Sequence, residues 1–141
     1  MTDLLAGELL DERAQQALSV PLQARLGAQL LDPSDPTTGV RFLPGELADN
    51  GAGGVHAAAL QTLLEVAGYL ALLPSLRVTE HAVTHAVATQ FISAAPLAEP
   101  IIVRGTVDRR TRKMAFLSVL ATAEERPIAR GQLSKSIIEA R

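Results

Sequence analysis

The chain's 141 residues are enough for one hydrophobic core, and 48% hydrophobic with 20% charged residues is a globular composition, which excludes disordered and collagen-like chains. Lys and Arg number 13 against 15 Asp and Glu, a net charge of −2, and aromatics make up 3%. Phosphate neutralisation and base stacking are both poorly supplied, so nucleic acid is not an expected partner. Without cysteine there is no disulfide, thiolate metal site or cysteine nucleophile, which fits a reducing compartment.

The start, Met1 to Leu5, lacks the basic-then-apolar layout of a secretory signal, so a cytoplasmic protein is expected. Residues 1–20 read as an amphipathic helix: Leu4, Leu5, Leu9, Leu10 and Leu18 alternate with acidic positions, and Pro21 marks its end. Two short extended segments, Ala24 to Leu31 and Gly39 to Leu43, flank the turn-rich Asp32-Pro33-Ser34-Asp35-Pro36 and read as a hairpin. The glycine-rich stretch from Pro44 to Gly54 leads into a helix over 54–73 that is apolar nearly all round, the pattern of a helix buried nearly all round. Gln61 and Glu65 in its middle argue against a membrane span, since a mid-membrane carboxylate costs about 2.5–3.5 kcal/mol even on lenient scales.

After Pro74 the main strands occupy 81–138, in segments 81–94, 100–109, 113–123 and 127–138 separated by turn residues. The order predicts one α+β domain over 1–141, with an antiparallel sheet wrapped around a long central helix.

Several chemistries are missing. No serine sits in a Gly-x-Ser-x-Gly elbow, no phosphate loop is present, and Gly51-Ala52-Gly53-Gly54 lacks dinucleotide-binding spacing. His81 and His85 on a strand lie about 13 Å apart, too far to share one ion, so no metal is expected. Glu65 stands out as the only charged side chain between His56 and Arg77. A carboxylate in such a setting is either half of an ion pair or subunit contact, or a base sharpened by desolvation. Asn50, the glycines and His56-Ala57 place free backbone N–H groups and a positive helix end together, either as a simple cap or as a site for an anion or a polarised carbonyl. Arg109, Arg110, Arg112 and Lys113 fall near a hairpin turn, either solvated or binding phosphate.

Asn50, then Gly51-Ala52-Gly53-Gly54-Val55-His56-Ala57-Ala58, then Glu65 nine residues past the histidine, resembles the hotdog-fold acyl-CoA thioesterases, most closely the phenylacetate-pathway (PaaI-like) type. Thr84 to Ala95 resembles the family's following strand and turn, and the likeness covers residues 25–138. The resemblance implies hydrolysis of an acyl-CoA thioester to a carboxylic acid and CoA, with no cofactor beyond the CoA carried by the substrate. It assigns Glu65 as general base or nucleophile and the Ala57 N–H as the group that polarises the carbonyl. Asn50 would hold the thioester, Thr84 would orient the water and His56 would support the thioester end. Arg109, Arg110, Arg112 and Lys113 would meet the CoA phosphates. The family's His-Gly-Gly is His56-Ala57-Ala58 here; the backbone N–H survives, and the methyls narrow the space beside it.

Ala57 and Glu65 lie about 12 Å apart along one helix, so one subunit cannot readily bring both to one carbon. Antiparallel helices from two subunits can, which predicts a C₂ homodimer with composite sites, with a dimer of dimers also in keeping with the family. The alternative reading is a non-catalytic acyl-CoA or lipid-binding hotdog protein.

Overall fold

The computed structural model describes residues 3–141; Met1 and Thr2, the first positions of the helix expected over 1–20, lie outside the described residues. Its centre is α3, Ala57–Leu72. His56 precedes it in extended conformation, and Pro74 ends it by starting a 3₁₀ turn, Leu73–Ser75. Leu60, Leu63, Leu64, Ala67, Leu70 and Leu72 are among the α3 residues that are buried, on more than one face of the helix. With the following turn the segment is long and apolar enough to cross a bilayer, and 61% of it is buried inside this molecule, where that apolarity is used.

The sheet is antiparallel throughout, in the order β1-β2-β4-β5-β6-β3. Its long strands are β3 (Glu80–Phe91), β4 (Ile101–Arg110), β5 (Met114–Ala123) and β6 (Arg126–Glu139). In β5 the period-2 pattern is explicit: Ala115, Leu117, Val119, Ala121 and Ala123 are buried, while Phe116 and Leu120 face out. The hairpin β1 (Gln29–Leu30) and β2 (Val40–Phe42) adds to one side of β4, and β3 forms the opposite edge.

Helix and sheet meet backbone to backbone. A Cβ placed on Gly105 of β4 would lie 2.7 Å from the Ala67 carbonyl oxygen and 2.9 Å from Gly68 Cα. Glycine at both positions lets α3 rest directly on β4.

Two expectations are corrected near the N-terminus. The first helix, α1, is Gly7–Ser19 and not 1–20; Pro21 follows its end as expected, but also begins a second helix, α2 (Pro21–Leu26), that was not expected. Proline's fixed φ suits a first helical turn, and Gly27 at φ 81° closes α2 with its N–H on the carbonyls of Ala24 and Gln23. The segment read as extended from Ala24 to Leu31 is therefore helical at its start, and only Gln29 and Leu30 pair with β2. The central helix is also shorter than 54–73, because Gly54 and Val55 form isolated bridges to Pro96 and Asp49.

Candidate active site

Glu65 projects from α3 toward the edge strand β3, partly exposed in a cavity of about 580 Å³. Its Oε1 accepts a hydrogen bond from Thr84 Oγ1 at 2.8 Å, and Thr84 Oγ1 in turn accepts from Lys135 Nζ at 3.1 Å. An ammonium only donates, so Thr84 receives through its oxygen and has one hydrogen left, which goes to Glu65. The direction of the chain Lys135→Thr84→Glu65 is thereby fixed.

Lys135 sits on β6 opposite Thr84 and is 4% exposed. Burial pulls its pKa below the ordinary lysine value, and the Glu65 charge opposes that shift. The burial of Glu65 expected from its neighbours does not extend to its carboxylate, which opens into the cavity. Among the described residues it forms no ion pair; its link to a cation runs through Thr84.

One helical turn beyond Glu65, Tyr69 shares a 3.0 Å hydrogen bond with His81 Nδ1. Burial raises the Tyr69 pKa and lowers that of His81, which the nearby Arg13 and Lys135 cations lower further. Ala17, Val20 and Leu22, around the α1–α2 junction, give the cavity an apolar wall.

A second group of residues surrounds the start of α3. Asn50 Oδ1 accepts from the Ala52 and Gly54 N–H groups at 2.7 and 3.1 Å, closing a turn in which Gly51 and Gly53 take φ of 80° and 82°. The Val55 N–H bonds the Ala95 carbonyl at 3.0 Å and the His56 N–H bonds Ala48 at 2.7 Å, fixing the entry to the helix. His56 Nδ1 then accepts the Ala58 N–H at 2.9 Å, which requires that ring nitrogen to be unprotonated. The Ala57 N–H has no acceptor among the described residues. It is thus a free donor at a positive helix end, where a developing negative oxygen is stabilised. Ala57 and Asn50 line a separate cavity of about 290 Å³ with Leu60, Phe91 and Ser93.

Within one protomer the structure brings Glu65 and Thr84 together, and separately Asn50, His56 and Ala57. Glu65 and Thr84 line one cavity and Asn50 and Ala57 the other, with His56 lining neither, and eight helical residues put Ala57 and Glu65 about 12 Å apart.

The basic cluster divides. Arg109 and Arg110 end β4, and only Thr111 to Lys113 form the turn. The Arg110 guanidinium is committed to the Glu80 carboxylate and the carbonyls of Ser75 and Thr111, which removes it from the phosphate-binding candidates. Arg109, Arg112 and Lys113 are exposed and line neither of these cavities. His81 and His85 both lie on β3, His81 bonded to Tyr69 and His85 exposed. Among the described residues no three His, Asp or Glu side chains are grouped to hold a metal ion.

Comparison with known proteins identifies the family. Residues 49–141, more than half of the chain, match the family model described as fluoroacetyl-CoA-specific thioesterase, FlK. The chain belongs to this thioesterase family. It is a thioester hydrolase, and the matched span holds Asn50, His56, Ala57, Glu65, Thr84 and Lys135.

No curated protein matches the chain. Among solved structures, a thioesterase from Haemophilus influenzae superposes with a TM-score of 0.82 at 16% identity, covering 99% of this chain and 96% of that one. Thioesterase superfamily member 2 from Mus musculus gives 0.73 at 20% identity, covering 94% and 98%. A hypothetical thioesterase from Streptococcus pneumoniae TIGR4, solved with coenzyme A, gives 0.63 at 18% identity, covering 74% and 82%. At these identities the likeness is one of fold, and the fold is the hotdog: a six-stranded antiparallel sheet around a long central helix.

Proposed function

We propose that this thioesterase hydrolyses an acyl-CoA to the carboxylic acid and free CoA in composite sites of a homodimer, Glu65 coming from one subunit and the Ala57 amide from the other. The observation that carries this reading is the separation just described: a held carboxylate in one cavity, a free helix-end amide in another, about 12 Å apart on the same helix. Antiparallel apposition of two copies of α3 joins each half to its complement, and the unpaired edge of β3 offers the backbone groups for such an association.

In the assembled site the thioester carbonyl oxygen accepts the Ala57 N–H. Glu65 takes a proton from water as it attacks the carbonyl carbon, and the thiolate of CoA leaves and is protonated. Thr84, held by Lys135, orients the Glu65 carboxylate, whose other oxygen faces the attacking water. Asn50 uses its Nδ2 amide on the thioester while its Oδ1 keeps the loop closed. His56 consumes the Ala58 N–H, so Ala57 alone points at the carbonyl.

The acyl group occupies the larger cavity, whose apolar walls suit either a small acyl group, as the family description suggests, or the aryl group of the PaaI-like type. Arg109, Arg112 and Lys113 are the candidates for the CoA phosphates. The reaction needs no metal or redox cofactor, and the protein acts on soluble acyl-CoA in the cytoplasm as a dimer or dimer of dimers, without a nucleic-acid or membrane partner.

The test is free-thiol release from fluoroacetyl-, acetyl-, phenylacetyl- and longer acyl-CoAs, wild type beside Glu65→Gln. Turnover of at least one thioester, lost by about 10²–10⁴-fold in the folded variant, is expected for a general base. Equal turnover in both proteins contradicts the role given to Glu65.

A further inference from the structure

The cavity that holds Glu65 has two ends. From Glu65, α3 runs about 6 Å on to Tyr69, and from Thr84, β3 runs back about 10 Å to His81. The Tyr69–His81 hydrogen bond therefore marks the end away from the Glu65–Thr84 pair. Arg13 of α1 lines the same cavity and reaches that end. Its guanidinium donates to the Glu80 carbonyl at 2.9 Å and the Val78 carbonyl at 3.3 Å, around the start of β3.

Arg13 is a half-buried cation without a countercharge. Among the described residues no carboxylate lies within ion-pair distance of it, and Glu80, whose carbonyl it binds, commits its side chain to Arg110. Its helical neighbours three and four residues away are Leu9, Leu10, Gln16 and Ala17, so α1 brings no acid to that face. The two carbonyls occupy two of a guanidinium's five N–H donors, which leaves part of the fork unspent. Lys135 is a second cation in the lining, and Glu65, at the opposite end, is the one carboxylate there. The Tyr69–His81 pair also keeps a spare hydrogen. If the hydroxyl donates to Nδ1, the neutral ring carries its hydrogen on Nε2; if Nδ1 donates, the hydroxyl hydrogen is free.

We propose that this end of the cavity binds a carboxylate at the far end of the acyl chain, which makes CoA half-esters of short dicarboxylic acids the preferred substrate class. The inference rests on the acyl-CoA reading above. The chain of methylenes lies along Ala17, Val20 and Val66, the reacting carbonyl stays beside Glu65, and the terminal carboxylate meets the Arg13 fork. The substrate thus brings the charge that the lining lacks, and holds it away from the Glu65 carboxylate. An uncharged acyl chain of the same length would strip water from Arg13 and return nothing. Arg13 lies outside residues 49–141, the span that matches the family, so the preference it sets is this chain's own.

The test compares charged and uncharged acyl groups of equal length, glutaryl- with pentanoyl-CoA and adipyl- with hexanoyl-CoA, by free-thiol release from the full chain. In at least one pair kcat/KM is expected to favour the charged member about ten-fold or more. Arg13→Met keeps the stem, removes the charge and is expected to bring that ratio to about one, whereas Arg13→Lys retains part of it. Because Arg13 also pins α1 to β3, Gln16→Glu offers a second route. Gln16 is exposed, lines the cavity and lies one turn on from Arg13. A carboxylate there supplies Arg13 from within the protein, leaves its carbonyl bonds in place and is expected to erase the preference as well. Wild type that hydrolyses the uncharged members at least as fast, or only esters outside both pairs, overturns the carboxylate end and leaves the acyl-CoA reading standing. A preference that survives in Arg13→Met, or in Gln16→Glu where Arg13→Met does not fold, overturns the role of Arg13. No thiol released from any acyl-CoA overturns the acyl-CoA reading and this inference together.

Discussion

The Thr84 hydroxyl donates to Glu65 Oε1 at 2.8 Å, from the sheet's free edge strand to its central helix. Lys135 on the neighbouring strand directs that hydrogen by occupying the hydroxyl's oxygen. Thr84→Val removes the bond and keeps the shape, and kcat is predicted to fall about ten-fold, the worth of about 1.4 kcal/mol, with KM little changed. Steady-state kinetics on the best substrate checks this.

Lys135→Met separates positioning from structure. A buried cation with no carboxylate within ion-pair distance among the described residues is replaced by an apolar chain of similar length, so the thermal midpoint is predicted to hold or rise. The loss falls on kcat, about ten-fold, because the Thr84 hydroxyl is then free to turn away from Glu65. A lowered midpoint with unchanged kcat would make Lys135 purely structural.

Glu80 carries the acid sensitivity of the fold. Burial pushes its pKa up, but the Arg77 N–H and the Arg110 guanidinium more than offset this and hold it below the ordinary carboxylate value. Its stabilisation is therefore fully present above the unfolded-state pKa, about 4.3, and is lost as pH falls through the lower folded value. Acid denaturation followed by circular dichroism is predicted to be shallower in Glu80→Gln than in wild type. Arg110→Met strands a buried carboxylate and is predicted to cost about 3–5 kcal/mol, whereas Arg126→Met, which breaks the more exposed pair with Glu99, costs about 1 kcal/mol or less.

Gly105→Ala tests the backbone contact beneath α3. Its methyl meets the Ala67 carbonyl and Gly68 Cα, neither of which can rotate away. A loss of about 1–3 kcal/mol is predicted in denaturant titration. Gly45→Ala, with open space around it and no positive φ, is predicted to be neutral.

The central helix and the four long strands were legible because their patterns are local: apolar all round for α3, period two for β5. Asn50, His56, Ala57 and Glu65 were legible as a spacing. Pro21 does follow the end of α1, but α2 was missed because proline signals helix starts as well as helix ends; Gly27, six residues on, is the signal that decides for a start. Lys135 was overlooked because a late-strand lysine reads as surface. Its parity with Ala129 and Leu133, both buried, places it on the inward face, but its contact with Thr84 depends on a strand pairing 51 residues apart. The Arg110–Glu80 bond, 30 residues apart, is equally invisible to local pattern. The proposed composite site would leave a trace in one chain only as two incomplete halves.

Complementation tests the composite site most directly. Glu65→Gln disables the carboxylate. Ala57→Pro removes the amide hydrogen at a first helical position, where proline is tolerated, and His56 before it already has the extended φ of −63° and ψ of 133° that proline requires. Each variant alone is predicted to be inactive. Mixed one to one and allowed to exchange subunits, half of the dimers are hybrids with one intact site, so activity should recover to about a quarter of wild type. Two folded, exchanging, inactive variants that recover nothing on mixing would place both groups in the same subunit's site and contradict the account.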